Sequence, residues 1–320
     1  MTTMPNSSLT EGYHTPAMIQ EVRSMLSLLP GDTFIDATLG NGGHAASLLD
    51  MTAPNGELLG LDADPEMLVQ AKKRLRPYSN RIILVNDNFS NLWNVAERAD
   101  FHPVAAVLFD LGLSSFHLDS ESRGFSFKSL SPLDMRLNPS QSLTAADVVN
   151  TYSEQELAQT IADYGEEPFA RRIATAIVKN RPIESSRELG QVIERVAPRR
   201  GRRLHPATKT FQAIRIKVNN EMENLESALR QAIKLLKEGG RLAIIAYHSL
   251  EDRIVKLFMR QESRDCICPP ELALCTCDHK ATMRIITKKV VRPQIQEIHG
   301  NRRARSARLR VGETLRGVYI

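Results

Sequence analysis

Between residues 33 and 110 the chain alternates short apolar runs with helical stretches, and this alternation constrains the fold more than any other feature. Residues 33–36 form a β-prone run that breaks at Gly40-Asn41-Gly42-Gly43. Residues 57–62 form a second, ended by Asp62-Ala63-Asp64-Pro65. Asp64 as N-cap and Pro65 at the first helical position open a helix that the pattern carries to Leu75. Residues 81–85 read as a third strand, with Ser90 placed to cap the next helix. Residues 104–109 are a fourth, running into Asp110. Strands separated by helices of this length predict a parallel sheet covered on both faces, an α/β fold.

The pattern then changes. From residue 116 to residue 204 no run reads as a buried strand. Ser153-Glu154-Gln155-Glu156 and Ser185-Ser186-Arg187-Glu188 both match the capping box, in which Ser and Glu each satisfy an orphan backbone N–H. Helices are predicted over 154–164, 167–180 and 186–197. After them Met222, Leu225, Leu229, Ile233 and Leu236 recur at spacings of three and four on one helix face. Gly239-Gly240 is expected to stop that helix, and residues 241–247 supply another apolar strand. The 320 residues leave room for two domains. The expected division is an α/β domain over 1–117 and 205–320, interrupted by an all-helical domain over 118–204.

Gly40-Asn41-Gly42-Gly43-His44-Ala45 lies between a strand and a helix. There, backbone N–H groups and a helix N-terminus can approach a ligand that bulkier residues would keep away. Asp62, 22 residues beyond Gly40 at the end of the second strand, has the position of an acceptor for ribose hydroxyls. Asp110 ends the fourth strand and is expected in the same crevice. The loop indicates a nucleoside cofactor without choosing one. Gly40, Gly42 and Ala45 also satisfy the dinucleotide spacing G-x-G-x-x-A, and glycine marks any tight strand-to-helix turn.

Charge narrows the partners. The net charge is +5, but residues 199–217 carry +7 and residues 284–316 carry +8, leaving −10 on the rest. Two concentrated basic segments on an acidic body point to a polyanionic partner ahead of the plainer reading, solvated charged faces. No apolar run has the ~18 residues needed to span a bilayer, and residues 1–10 lack a signal-peptide pattern, so a cytoplasmic protein is expected. The four cysteines lie between Cys266 and Cys277, which is no framework for a secreted fold. Cys266-x-Cys268 and Cys275-x-Cys277, with His279 nearby, are compatible with a thiolate zinc site. The C-x-C spacing is tighter than usual, so the expectation is reduced thiols and no metal.

Ten segments in order along the chain carry a specific resemblance. They are Tyr13-His14-Thr15-Pro16, residues 36–44 (DATLGNGGH), Leu61-Asp62-Ala63-Asp64-Pro65, Asp110-Leu111-Gly112-Leu113-Ser114-Ser115 and Arg123-Gly124-Phe125-Ser126-Phe127. Pro132-Leu133-Asp134-Met135-Arg136, Tyr164-Gly165-Glu166-Glu167, residues 205–213 (HPATKTFQA), residues 247–253 (YHSLEDR) and Arg303-Ala304-Arg305-Ser306 complete the set. With these segments the chain resembles the bacterial RsmH/MraW methyltransferases. That resemblance implies a Rossmann-like, class I S-adenosylmethionine-dependent methyltransferase sheet with an inserted helical domain. The implied reaction is methylation of the N4 amine of a cytosine in the decoding region of 16S rRNA, in the small ribosomal subunit or its assembly intermediate.

Carried over by motif, the cofactor site comprises Gly42, Gly43, His44, Asp62, Phe89 and Asp110, with His117 where the family commonly has Gln. Arg302 replaces a proline that the family often has before Arg303.

The amine of cytosine is a poor nucleophile whose proton must leave as the methyl arrives. The reaction therefore calls for in-line positioning and a hydrogen-bond acceptor. Asp110 is the candidate catalytic residue, either orienting the amine or holding the cofactor. A base read in RNA is splayed out and stacked, which makes Phe125 and Phe127 candidates for stacking or, equally, for the core. Arg199, Arg200, Arg202, Arg203, Lys209, Arg302, Arg303, Arg305 and Arg308 are the candidate phosphate contacts. Two rival readings remain at this stage: a nicotinamide-dependent oxidoreductase, and a non-catalytic RNA-binding assembly factor.

Overall fold

In the computed structural model the strands over Leu58–Asp62 and Val104–Asp110 each end on the aspartate that closes an apolar run. The structure describes residues 16–114, 116–117, 123–197, 205–269, 271–272 and 274–315. Strands β1 (Phe34–Asp36), β2 (Leu58–Asp62), β3 (Ile82–Asn86) and β4 (Val104–Asp110) are parallel, with β1 between β2 and β4. Strand β5 (Leu236–Ala246) continues the parallel set beside β4. Strands β6 (Met283–Ile285) and β7 (Arg308–Thr314) add an antiparallel edge, giving the order β3-β2-β1-β4-β5-β7-β6. The chain winds outward from β1 in one direction, then restarts at β4 on its other side. That reversal opens a crevice at the carboxyl ends of β1 and β4, where open α/β sheets bind ligands.

Strands β1, β2 and β4 and the second half of β5 are buried nearly throughout, as a sheet covered on both faces requires, whereas β3 at one edge is only partly covered. One apolar cluster joins Phe34, Leu58, Leu108, Ala243 and Ile245 of the sheet to Val22, Leu26, Leu48 and Leu49 of the helices Ile19–Leu26 and Gly43–Met51.

The chain divides into two compact units, one of residues 1–112 with 226–320 and the other of residues 113–225. The second unit has helices at Ala145–Thr151, Glu154–Gly165, Ala170–Lys179, Ser186–Val196 and Thr208–Asn219, and no named strand among its described residues. Its division from the first unit differs from the expected 118–204. The helix Thr208–Asn219 belongs to it because Phe211, Ile214 and Val218 pack into a separate core with Leu157, Ile161, Ile173, Ile177, Leu189 and Ile193. A boundary placed on the polar stretch around residue 204 follows composition, whereas the real one follows where the apolar face is buried.

Local chemistry explains several helix starts. Asp64 caps the helix Pro65–Arg74 by accepting from Glu66 N–H. Ser153 and Glu156 form the full reciprocal box. Ser185 forms half of its box: it accepts from Glu188 N–H, while the Glu188 carboxylate accepts from Glu184 N–H instead. The expected Ser90 cap is replaced by Asn88, which accepts from Ser90 N–H and opens a short 3-10 turn, Phe89–Asn91. The helix that Gly239-Gly240 was to end stops at Leu235, and β5 starts at Leu236. Gly239, at φ +72°, sits where the β4–β5 register shifts, so the glycine pair marks an irregularity in the strand.

Candidate active site

Three acidic side chains and one histidine define the crevice at the carboxyl edge of the first unit. Asp36 ends β1, Asp62 ends β2 and Asp110 ends β4. His44 stands in the first turn of the helix Gly43–Met51. The glycine loop between β1 and this helix turns through Gly40 and Gly42, at φ +53° and +76°, in the left-handed region that side chains rarely adopt. Asp62 holds the loop: Oδ2 accepts from Gly40 N–H at 2.7 Å and Oδ1 from Asp64 N–H at 2.8 Å. Arg74 Nη1 donates to Asn41 Oδ1 at 3.1 Å and ties down the tip. Gly43 has a different reason to lack a side chain, since a Cβ there would lie 2.3 Å from Pro16 Cγ. No side chain caps the helix it begins. Its first-turn N–H groups therefore form an anion-favouring end.

His44 is 5% exposed, and neither ring nitrogen has a hydrogen-bond partner among the described residues. Its Nε2 lies 3.5 Å from Asp110 Oδ2. Unpartnered polar atoms are rare in folded interiors and point to a group that a ligand completes. Asp110 is fixed from two sides. Its N–H donates to Thr38 Oγ1 at 2.6 Å, and its Oδ1 accepts from the Tyr247 hydroxyl at 2.8 Å. Burial, reinforced by Asp110, holds the Tyr247 phenol protonated well above its ordinary range, so it remains the donor. Asp36 is 1% exposed and accepts from Thr38 N–H at 3.2 Å. Burial pushes its carboxyl up to about 7. His44 pulls the other way, and Asp110 and Asp62 add to the rise.

Of the residues singled out from the sequence, Gly42, Gly43, His44, Asp62 and Asp110 share this edge of the first unit. Phe89 follows β3, its ring edge-on to Phe109 of β4 with centroids 5.9 Å apart. His117 lies in the second unit, buried against Phe125, with Nδ1 3.0 Å from Ser114 Oγ. Phe125 is core, whereas Phe127 is half-buried and stacks on His205 at 4.1 Å.

Among the phosphate candidates, Arg302, Arg303 and Arg305 are exposed on a 3-10 turn. Lys209 donates to Glu166 O at 2.7 Å, and Arg308 on β7 lies 3.6 Å from Asp252. Arg199, Arg200, Arg202 and Arg203 lie outside the described residues. His248 is the N-cap of the helix Ser249–Glu262, in a capping box with Glu251, which is a structural role. Asp36, Thr38 and Tyr247 were missed as site residues. The rule that identified Asp110, a polar side chain at a strand's carboxyl end, would have found Asp36 and Tyr247 had it been applied to β1 and β5.

A mostly parallel sheet of this order, with a glycine loop and acidic strand ends at its switch point, defines a Rossmann-like α/β fold. Residues 11–315 match the MraW methylase family. The chain is 50% identical over 307 residues to a Ribosomal RNA small subunit methyltransferase H of Dehalococcoides mccartyi, covering 96% of this chain and 88% of that one. It is 46% identical over 305 residues to the protein of that name from Thermomicrobium roseum, covering 94% of each. The protein of that name from Carboxydothermus hydrogenoformans is 47% identical over 309 residues, covering 95% of this chain and 99% of that one. The chain belongs to the MraW methylase family, and it is a methyltransferase. No helix among its described residues is long and apolar enough to cross a membrane.

Proposed function

We propose that this methyltransferase takes its methyl group from S-adenosylmethionine. We assign its acceptor as the exocyclic N4 amine of a specific cytosine in the decoding region of 16S rRNA. The substrate is the small ribosomal subunit or its assembly intermediate, in the cytoplasm. The observation that carries the proposal is the pairing of a ligand-poor His44 with an Asp110 held rigid by Tyr247 and Thr38, beside a loop anchored by Asp62. The names of the curated relatives support an rRNA substrate, and the resemblance of the motifs supports the cytosine amine.

The donor set fits such a cofactor. Asp62, which accepts from the N–H groups of Gly40 and Asp64, is the acidic strand-end group expected to meet ribose hydroxyls. The uncapped helix end at Gly43 suits a carboxylate, and His44 offers unpaired ring nitrogens. Phe89 supplies an aromatic face after β3, and His117 is assigned to the same cofactor through the family motif. When bound, the cofactor supplies an electrophilic methyl on a sulfonium.

The chain's own residues do the rest. Asp110 accepts a hydrogen bond from the amine and withdraws its proton as the nitrogen attacks. Tyr247, donating to Oδ1, keeps that carboxylate from swinging. Tighter anionic binding of the cofactor by these residues would not by itself speed the step, because only interactions that strengthen in the transition state do so. Arg302, Arg303 and Arg305, with Arg199, Arg200, Arg202 and Arg203, are assigned to phosphates; Lys209 and Arg308 share that role with their internal partners.

The test is methylation of small subunits from cells lacking this protein, followed by nucleoside mass spectrometry. N4-methylcytidine is expected with wild-type enzyme and should fall at least tenfold with Asp62→Ala. Methylation at another atom would overturn the acceptor assignment. Tight RNA binding with no transfer to subunits, free RNA or assembly intermediates would favour a non-catalytic assembly factor.

A further inference from the structure

The loop between the helix Ser249–Glu262 and β6 gathers all four cysteines outside the methyl-transfer crevice. Their Sγ atoms lie within 4.8 Å of one another. Cys275 and Cys277 are 3.6 Å apart, and Cys277 and Cys266 are 3.8 Å apart. A disulfide needs about 2.05 Å, so these sulfurs are unbonded thiols. Four thiolates around a tetrahedral zinc, each about 2.3 Å from the metal, are separated from one another by about 3.8 Å. Two of the six separations, 3.6 and 3.8 Å, match the edge of such a tetrahedron, and none of the six exceeds 4.8 Å.

Two further observations point to a cation at its centre. The backbone N–H of Ile267 donates to Cys277 Sγ, and that of Thr276 donates to Cys268 Sγ, each at 3.4 Å. Each C-x-C segment thus uses its middle residue to donate to a sulfur of the other. Such N–H···S bonds stabilise thiolate charge around a metal. The loop also has no core of its own. Ile267, Leu272 and Leu274 are exposed, Leu274 at 81%. Its base is tied by Thr282 N–H and Oγ1 donating to Glu262 O and Oε2, by Ala281 N–H donating to Asp265 Oδ1, and by His279 Nδ1 at 2.9 Å from Arg264 O. A short segment that buries no apolar face needs a cross-link to hold one shape.

We propose that Cys266, Cys268, Cys275 and Cys277 bind one zinc ion in a closed, structural thiolate site. Binding converts four thiols to thiolates and releases four protons to solvent, with no change of oxidation state. The complete ligand set leaves no open position, so the site organises the loop and takes no part in methyl transfer. The tight C-x-C spacing, which argued against a metal in the sequence, is accommodated because two segments supply two sulfurs each.

The test uses the full-length protein, expressed in zinc-replete medium and purified under reducing conditions without chelator. Elemental analysis is expected to find one zinc per chain, falling at least tenfold in Cys266→Ser/Cys277→Ser. In case that variant misfolds, cobalt exchange into the wild-type protein should produce thiolate-to-metal charge transfer and the intense visible bands of a tetrahedral S4 site. Four thiols titrating freely with no stoichiometric metal would overturn the proposal. So would two disulfides by intact mass, or iron in place of zinc.

Discussion

Asp36 makes the stability of the first unit depend on pH in a direction opposite to most carboxylates. Its carboxyl moves from an ordinary 3.8 to about 7 on folding, chiefly through burial. Between those values the folded state keeps a proton that the unfolded state has released. Stability then falls as pH rises, by about 1.4 kcal/mol per pH unit. The penalty is absent below pH 3.8 and complete above about 7, where it totals about 4 kcal/mol. Asp36→Asn removes the titration and keeps an oxygen to accept from Thr38 N–H. The amide's extra N–H changes the stability by a constant amount, which leaves the slope untouched. Urea unfolding of both proteins from pH 5.5 to pH 8.5 should show the variant gaining about 2 kcal/mol on the wild type by pH 7, then no more. A difference that does not vary with pH would refute the reasoning, because it would mean that Asp36 ionises alike in both states.

Two further outcomes follow from the geometry. Tyr247→Phe removes the hydroxyl that holds Asp110 Oδ1, a bond to a charged acceptor worth about 1.5–3 kcal/mol. Steady-state kinetics should show kcat for methyl transfer down roughly 10- to 100-fold on this basis, with KM for the methyl donor little changed; an unchanged kcat would remove the pair from the reaction. Gly124→Ala places a Cβ 2.3 Å from Pro132 O at φ +73°, so the second unit should lose at least about 2 kcal/mol, seen as faster limited proteolysis of that unit at temperatures where the wild type resists.

The parallel sheet was legible because its signals are local. Asp64-Pro65 starts its helix within two residues of itself, and the glycine loop, Asp62 and Asp110 each stand directly at the end of an apolar run, where the sequence alone marks a strand end. What escaped detection depends on contacts distant in sequence. The strand β7 alternates buried and partly exposed positions over Arg308–Thr314, yet its Arg308 and Arg310 make it read as part of a basic tail. Both arginines are instead directed to Asp252, 3.6 and 2.7 Å away, on the helix after β5. Net charge counts such residues as free when half their charge is already answered. The same logic applies to Asp110 and Tyr247, 137 residues apart. A strand-end carboxylate marks a site from sequence alone, but whether it is free to move or clamped is decided by a residue that only the folded sheet brings to it. That clamp distinguishes an acidic rim from a positioned acceptor, and it gives the proposed role of Asp110 its physical basis.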